Sequence, residues 1–425
     1  MVNEAALKAA FVFGAMRGAV TEALKVGEFL RGELVGVSRP GRYLGLEVNA
    51  RRKPLRGDGV NCALVYPDAY EIGMSHLGLL ILYEVINERP DAMADRAYLP
   101  WVDMQERMVA RGIPLFGLES RAPLRDFDLV GITLQHELTY ANVARMISLA
   151  RIPLLAVERE DGSPLVVGGG PGAFNPEPVA GLFDLLVVGE GEEIIHELLD
   201  ALGGWKRKGK RDRRGFLRAC ASLGGVYVPS LYRVSYRRDG TLEGFEPEAG
   251  APLPVRKRVV RDLDAWRYPR RPPVPLVESV HDRCSLEIFR GCTRGCRFCQ
   301  AGMIYRPVRE RGEGLLREWG SELVDNTGCD ELTLASLNSA DYSRIASLVD
   351  HLAREMEARR VAVSLPSLRT DTFSVELASR LRRVKRTGLT LAPEAASERL
   401  RRAVNKGVTD EDLLEAVSSA YREGW

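Results

Sequence analysis

Short apolar runs alternate with stretches of helical spacing over two parts of the chain, and a different pattern lies between them. Asn61–Tyr66 (NCALVY) predicts a buried strand, and His76–Asn87 after it carries the apolar period of a helix. Asp128–Leu134 (DLVGITL) predicts another strand, leading into a helix from about Leu138 to Ala150. Leu165–Val167 and Leu185–Val188 are short strands that run into glycine, and Glu192–Leu202 is again helical in spacing. This alternation predicts an α/β fold with a doubly wound parallel sheet over residues 60–203.

Residues 204–280 read differently. Trp205–Arg214 (WKRKGKRDRR) has the composition of a solvated basic loop. Gly225–Tyr236 alternates and predicts a small antiparallel hairpin with an Asp239-Gly240 turn, and Pro269–Pro275 predicts a linker. From Cys284 the alternation resumes, with strands expected at Ser285–Arg290, Glu331–Ala335, Val361–Leu365 and Leu389–Ala392. Four strand–helix units make a partial (β/α) barrel with an open edge, so the pattern predicts a barrel that is incomplete at the C-terminus. The expected division is an N-terminal helical or extended segment (1–59), an α/β domain (60–203), a linker with a small β-hairpin (204–280) and the partial barrel (281–425).

Composition changes this picture little. Hydrophobic residues make up 45% and charged residues 28%, with a formal charge of +2, so no global charge draws the chain to nucleic acid or membrane. Glu4, Lys8 and Arg17 interrupt the apolar opening stretch, which therefore lacks the unbroken core of a signal peptide or membrane span. A cytoplasmic location is expected. The 7 cysteines agree, because three crowd together while Cys62, Cys220, Cys284 and Cys329 are scattered, unlike a disulfide framework.

Those three carry the chemistry. Glu287–Gln300 reads EIFRGCTRGCRFCQ, placing Cys292, Cys296 and Cys299 on a loop after a predicted strand. Three closely spaced thiolates can hold three corners of one cubane and leave the fourth iron open. The competing reading is a zinc site with a distant histidine, although zinc sites more often pair their cysteines as Cys-x-x-Cys. Gly291 and Gly295 allow a tight path around a bulky inorganic core.

The motif resembles the radical S-adenosylmethionine (radical SAM) signature, with Phe298 before the last cysteine. The resemblance implies a 4Fe–4S cluster that cleaves S-adenosylmethionine reductively to methionine and a 5′-deoxyadenosyl radical, the protein supplying position and shelter. It also implies contacts to S-adenosylmethionine from Phe298, Ser336, Asn338, Ser364 and Glu394. The last four lie at or just beyond the C-terminal ends of predicted barrel strands, where such barrels bind ligands. Taken alone, Ser336 and Ser364 would serve equally well as helix caps.

Nearer the N-terminus, Asp68, Tyr70 and Gly73 resemble the cobalamin-domain motif Asp-x-His-x-x-Gly, with Tyr70 in place of the histidine. Thr133 resembles that fold's Ser-x-Leu element, and Gly168, Gly169 and Gly170 its Gly-Gly element. The resemblance implies cobalamin on these strand-end loops without a histidine ligand from the protein. Gly189–Glu192 also resembles these enzymes, and as a bare pattern it reads as a helix start with acids near its positive end. His76 and His136, the nearest histidines, receive no role.

Residues from about 40 to 425 thus resemble the uncharacterised B12-binding-type radical SAM proteins. The implied activity is radical SAM chemistry with cobalamin-dependent methyl transfer to carbon as its outcome. Two other readings stay open: a methylthiotransferase-like enzyme acting on RNA or protein with a vestigial cobalamin fold, and a cluster-binding fragment without catalysis. The implied partners are a low-potential electron donor such as flavodoxin or ferredoxin and a C-terminal continuation that completes the barrel. The substrate is unspecified, nucleic acid is left open, and no membrane is expected. Arg306–Arg311 is expected to be salt-bridged barrel surface.

Overall fold

The computed structural model describes residues 20–248, 250–366, 369–370 and 391–422. It divides into two compact units, Met1–Val260 with Val274–Val280, and Arg261–Pro273 with His281–Trp425. Among the described residues no helix is long and apolar enough to cross a membrane.

The first unit is built on a six-stranded sheet. Its strands are β1 (Val60–Tyr66), β2 (Ala92–Tyr98), β3 (Leu129–Thr133), β4 (Leu165–Gly169), β5 (Leu185–Val187) and β6 (Val226–Tyr227), in the order β2-β1-β3-β4-β5-β6. The first five are parallel, and β6 closes the far edge antiparallel to β5. The chain steps from β1 out to β2 and back to β3, so the winding direction reverses between β1 and β3. Loops diverge at such a reversal and leave a crevice at the C-terminal strand ends. Strands β1, β4 and β5 are wholly or nearly buried, as their largely apolar content requires in a parallel sheet. Helices Leu77–Glu88, Tyr140–Leu149 and Gly191–Arg207 connect them, close to the expected bounds.

Three expectations for this unit need correction. Strand β2 (AMADRAY) escapes the hydrophobic pattern because Asp95 and Arg96 sit in its middle, yet all seven residues are buried. Arg96 is neutralised by Glu119 at 2.6 Å and Glu47 at 3.2 Å, while Asp95 accepts the backbone N–H groups of Glu119 and Ser120. Buried charges survive where partners this close are fixed by the fold.

The basic run Trp205–Arg214 is not a solvated loop. The helix Gly191–Arg207 enters it and the helix Arg213–Ala221 leaves it. Lys206 and Lys210 reach Asp128 at 2.7 and 2.8 Å, and Arg213 reaches Asp184 at 2.9 Å. The hairpin also starts later than expected. Val226–Tyr227 joins the main sheet, and the hairpin consists of β7 (Tyr232–Tyr236) and β8 (Leu242–Pro247).

In the second unit, β9 (Cys284–Glu287), β12 (Glu331–Ala335) and β13 (Ala362–Ser364) form a parallel sheet in the order β13-β12-β9. Helices Glu313–Thr327 and Ile345–Arg359 link successive strands, which is the winding of a (β/α) barrel. The predicted strand Ser285–Arg290 splits in two. Its end, β10 (Phe289–Arg290), pairs with β11 (Arg309–Glu310) and so ties the segment after the cysteines back to the strand before them. Of the expected strand Leu389–Ala392, Leu389 and Thr390 lie outside the described residues, and Leu391 and Ala392 are irregular.

Candidate functional site

The cysteine loop leaves β10 at Gly291, whose φ is +101°. A Cβ there would lie 2.5 Å from the Pro307 carbonyl oxygen, so glycine alone lets the loop start against that turn. Gly295, at φ +71°, turns the chain between Cys292 and Cys296. Arg306 Nε donates to the Cys292 carbonyl at 3.1 Å. Cys292, Cys296 and Cys299 are free, partly exposed thiols. The Gly302 N–H points at Cys299 Sγ over 3.4 Å, and Arg369 Nη1 at Cys296 Sγ over 3.5 Å.

Among the described residues no three His, Cys, Asp or Glu side chains converge as they would around one metal ion. A cubane binds each thiolate at a different iron, so its ligands stand apart. Three free cysteine thiols on one loop supply the donor set of such a cluster.

Around the loop, Arg294 forks onto Asp341, with Nε at 2.9 Å from one oxygen and a second bond to the other. Burial alone would raise the Asp341 carboxyl, but the Arg294 guanidinium holds it below its ordinary value. Asn338 is 1% exposed, and neither its Nδ2 nor its Oδ1 makes a hydrogen bond of good geometry. An amide in that state is a cradle for a polar ligand group. The Ser336 hydroxyl meets that of Ser339 at 3.0 Å. Ser364 is turned inward instead, with its hydroxyl 2.6 Å from Glu331 and 2.8 Å from Thr333. Phe298 is 53% exposed. Glu394, at φ +70°, accepts from Lys406 Nζ at 2.9 Å, and that ammonium also lies 6.0 Å from the Phe298 ring centroid.

The Arg306–Arg311 run is not mere surface. Arg311 is buried, stacks against Tyr268 and Trp319, and meets Glu287 at 2.8 Å. Burial would raise the Glu287 carboxyl, and Arg290 and Arg311 together hold it low.

In the first unit the predicted residues gather where the winding reverses. Asp68 sits on the loop after β1, where its carboxylate accepts the Ala69 N–H at 2.7 Å. Thr133 ends β3, and Gly168 and Gly169 end β4. Gly170, at φ +106°, approaches the Leu134 backbone so closely that a Cβ would lie 2.9 Å from its oxygen. Gly168 is packed by Leu186, Leu134 and Phe183, and Gly73 by Tyr98. Gly169 is different: nothing lies within 4 Å of where its Cβ would be, so it leaves space at the strand end.

Tyr70 is 1% exposed and its hydroxyl bonds Glu47 and the Leu276 N–H, away from that space. His76 bridges the loops after β1 and β3. Its Nδ1 accepts the Leu79 N–H at 3.1 Å, so Nε2 carries the proton and donates to Gln135 at 3.1 Å. Burial keeps the ring neutral. The Gly189–Glu192 run has a structural task. Gly189 lies flat against Arg258, Glu190 accepts the Val260 N–H at 2.6 Å, and Glu193 pairs with Arg258 at 2.8 Å.

Both units match known proteins. Residues 78–229 match the N-terminal domain of radical SAM proteins, and residues 286–425 match the radical SAM superfamily domain, whose start takes in the three cysteines. The chain belongs to the radical SAM enzymes. An uncharacterized protein of Methanocaldococcus jannaschii is 27% identical over 86% of this chain and 67% of its own length. An uncharacterized methyltransferase of Pyrococcus horikoshii is 24% identical over 70% of this chain and 58% of its own.

The fold resembles that of TsrM from Kitasatospora setae, a radical S-adenosylmethionine methyltransferase solved with cobalamin and a 4Fe–4S cluster. The TM-score is 0.55 at 16% identity, over 86% of this chain and 68% of that one. It also resembles OxsB, a cobalamin-dependent S-adenosylmethionine radical enzyme, with TM-score 0.54 and 13% identity over 85% and 47% of the two chains. This radical SAM chain therefore spans about two thirds or less of each of these relatives.

Several residues at the site gave no signal in the sequence. Arg306, Arg369 and Asn405 touch the cysteine loop, Lys406 touches Glu394, and Arg294 on the loop itself pairs with Asp341. In sequence they are ordinary members of a chain with 60 lysines and arginines, and Asn405-Lys406-Gly407 reads as a plain turn.

Proposed function

We propose that this radical SAM enzyme holds a 4Fe–4S cluster on Cys292, Cys296 and Cys299, binds cobalamin at the crevice between the β1 and β3 loops, and transfers a methyl group to carbon. The observation that carries the reading is the cysteine loop: three free thiols on a backbone path that needs glycine at 291 and 295. When bound, the cluster would supply S-adenosylmethionine with the electron that breaks its sulfonium C–S bond. Phe298, Ser336, Asn338 and Glu394 would position S-adenosylmethionine, with the unpaired Asn338 amide offered for pairing with it. Ser364 acts through Glu331 and Thr333, as a support for β12 and β13.

Asp68, Thr133 and Gly169 would receive the corrin, and the His76 imidazole would not coordinate its cobalt, since both of its nitrogens are engaged. A flavodoxin or ferredoxin in the cytoplasm would deliver the electron. The test is an inventory of iron, sulfide and corrin in anaerobically purified protein. About four irons and four sulfides with bound corrin is the expected result, and protein that takes up neither would end the reading.

The methylthiotransferase-like reading draws on one observation: Tyr70 stands in the histidine's place and is sealed inside the fold. A full cluster with no uptake of hydroxocobalamin would favour it.

A further inference from the structure

The turn Ala403–Lys406, between the helices Glu398–Ala403 and Asp410–Arg422, is seated on the cysteine loop. Asn405 Nδ2 donates to the carbonyl of Gly295 at 2.9 Å and to that of Arg294 at 3.3 Å. The Arg297 N–H donates to the Val404 carbonyl at 2.9 Å, and its guanidinium to the Ala403 carbonyl at 2.6 Å. Lys406, 7% exposed, extends from the same turn to Glu394 and over Phe298. Asn405 takes φ +57°, a conformation Asn tolerates better than most residues and one that turns the chain back towards the loop.

Four hydrogen bonds thus fall on Arg294, Gly295 and Arg297, the residues between the first and last cysteines. A cluster loop rich in glycine has little shape of its own. Its ligand geometry is set by what grips it from outside, as outer partners orient the ligands of other metal sites.

We propose that Ala403–Lys406 is a clasp, with Asn405 a positioning residue for the three cysteines and Lys406 a positioning residue that aims the Glu394 carboxylate at S-adenosylmethionine. This rests on the reading of the cysteines as cluster ligands. The clasp couples the two halves of the site, because one four-residue turn fixes both the cluster loop and the Glu394 carboxylate. The same ammonium lies 6.0 Å from the Phe298 ring centroid, so one side chain faces both Glu394 and Phe298.

The test uses the 425-residue chain, reconstituted anaerobically with iron and sulfide. Asn405→Gly removes the amide without straining a left-handed backbone, so folding is retained. Iron loss to a chelator should then be about tenfold faster than in the wild type, the effect of two lost hydrogen bonds. Lys406→Met should keep the wild-type rate of iron loss. It should instead raise about tenfold the S-adenosylmethionine concentration that half-perturbs the reduced cluster's electron paramagnetic resonance signal, and Lys406→Arg should restore it.

A role confined to general stability would move the thermal midpoint and leave both readouts alone. If Asn405→Gly does not fold, Asn405→Asp keeps the size, sets an acceptor against two carbonyls, and should lose iron faster still. Equal iron-loss rates for wild type and the Asn405 variant, or equal half-perturbing concentrations for wild type and Lys406→Met, overturn the clasp. A wild-type chain that assembles no cluster instead overturns the functional reading beneath it.

Discussion

The phenol of Tyr70 donates to Glu47 Oε1 at 2.8 Å, and that carboxylate in turn meets the buried Arg96 at 3.2 Å. Burial and the Glu47 charge keep the phenol protonated. Tyr70 occupies the histidine position of a cobalamin motif, yet its ring is directed into a charged network beneath the loop rather than into the crevice. The same network takes in Glu119, which accepts from Arg96 and from the Tyr83 hydroxyl at 3.1 Å.

Removing that hydroxyl should therefore cost stability and leave ligand binding alone. Tyr70→Phe leaves the Leu276 N–H and one side of Glu47 unpaired, a loss of about 1–3 kcal/mol in chemical denaturation. Tyr70→His should be destabilised further and should leave the spectrum of added hydroxocobalamin as it is with the wild type. A shift to a histidine-ligated spectrum in that variant would show that the ring can leave its pocket.

Gly169 and Gly170 should respond in opposite ways to the same change. Valine at Gly169 fills open space in a strand position that suits it, so the fold should hold while corrin affinity falls at least about tenfold. Valine at Gly170 meets the Leu134 oxygen in a backbone region that is glycine's almost alone, which costs about 1–3 kcal/mol before any clash. Thermal melts paired with an absorption titration separate the two. Unchanged corrin affinity in Gly169→Val would remove the crevice from the proposal.

For the cluster, alanine at Cys292, Cys296 or Cys299 should abolish the broad visible absorption after reconstitution, and the triple variant should retain no stoichiometric iron. Cys329→Ala should keep about four irons per chain, because Cys329 lies before β12 and its N–H bonds Thr327 rather than anything on the cysteine loop. Iron retained at that level in the triple variant would assign the cluster elsewhere.

Asp128 gives the first unit an acid-sensitive joint. Burial would raise its carboxyl, but Lys210 and Lys206 outweigh burial and hold it below its ordinary value of 3.8. A carboxyl depressed by folding contributes stability that is fully present above that value and is lost as pH falls through the still lower folded value. Asp128→Asn should thus be about 1–3 kcal/mol less stable than wild type at pH 7. The gap should close below about pH 4. A gap that persists undiminished at pH 3 would mean the ion pairs are not its source.

The cysteine spacing, the glycines beside it and the strand–helix alternation were legible in the sequence because each is a local rule. Backbone period and ligand spacing depend on neighbours a few residues away. Strand β2 was not legible, since Asp95 and Arg96 look exposed until Glu47 and Glu119 arrive from other segments to pair with Arg96. Nor was the basic run at 205–214, whose charges find Asp128 and Asp184 only once the sheet has formed.

The site divides in the same way. Sequence alone singled out the three thiols proposed to hold a cluster and the loops proposed to surround a ligand. Tertiary structure alone decided that Tyr70 faces inward, that Ser364 is spent on Glu331, and that Asn405 grips a loop more than a hundred residues away. A side chain's identity fixes what it is able to bond, but its partner is chosen by distance in space, which a linear sequence does not record.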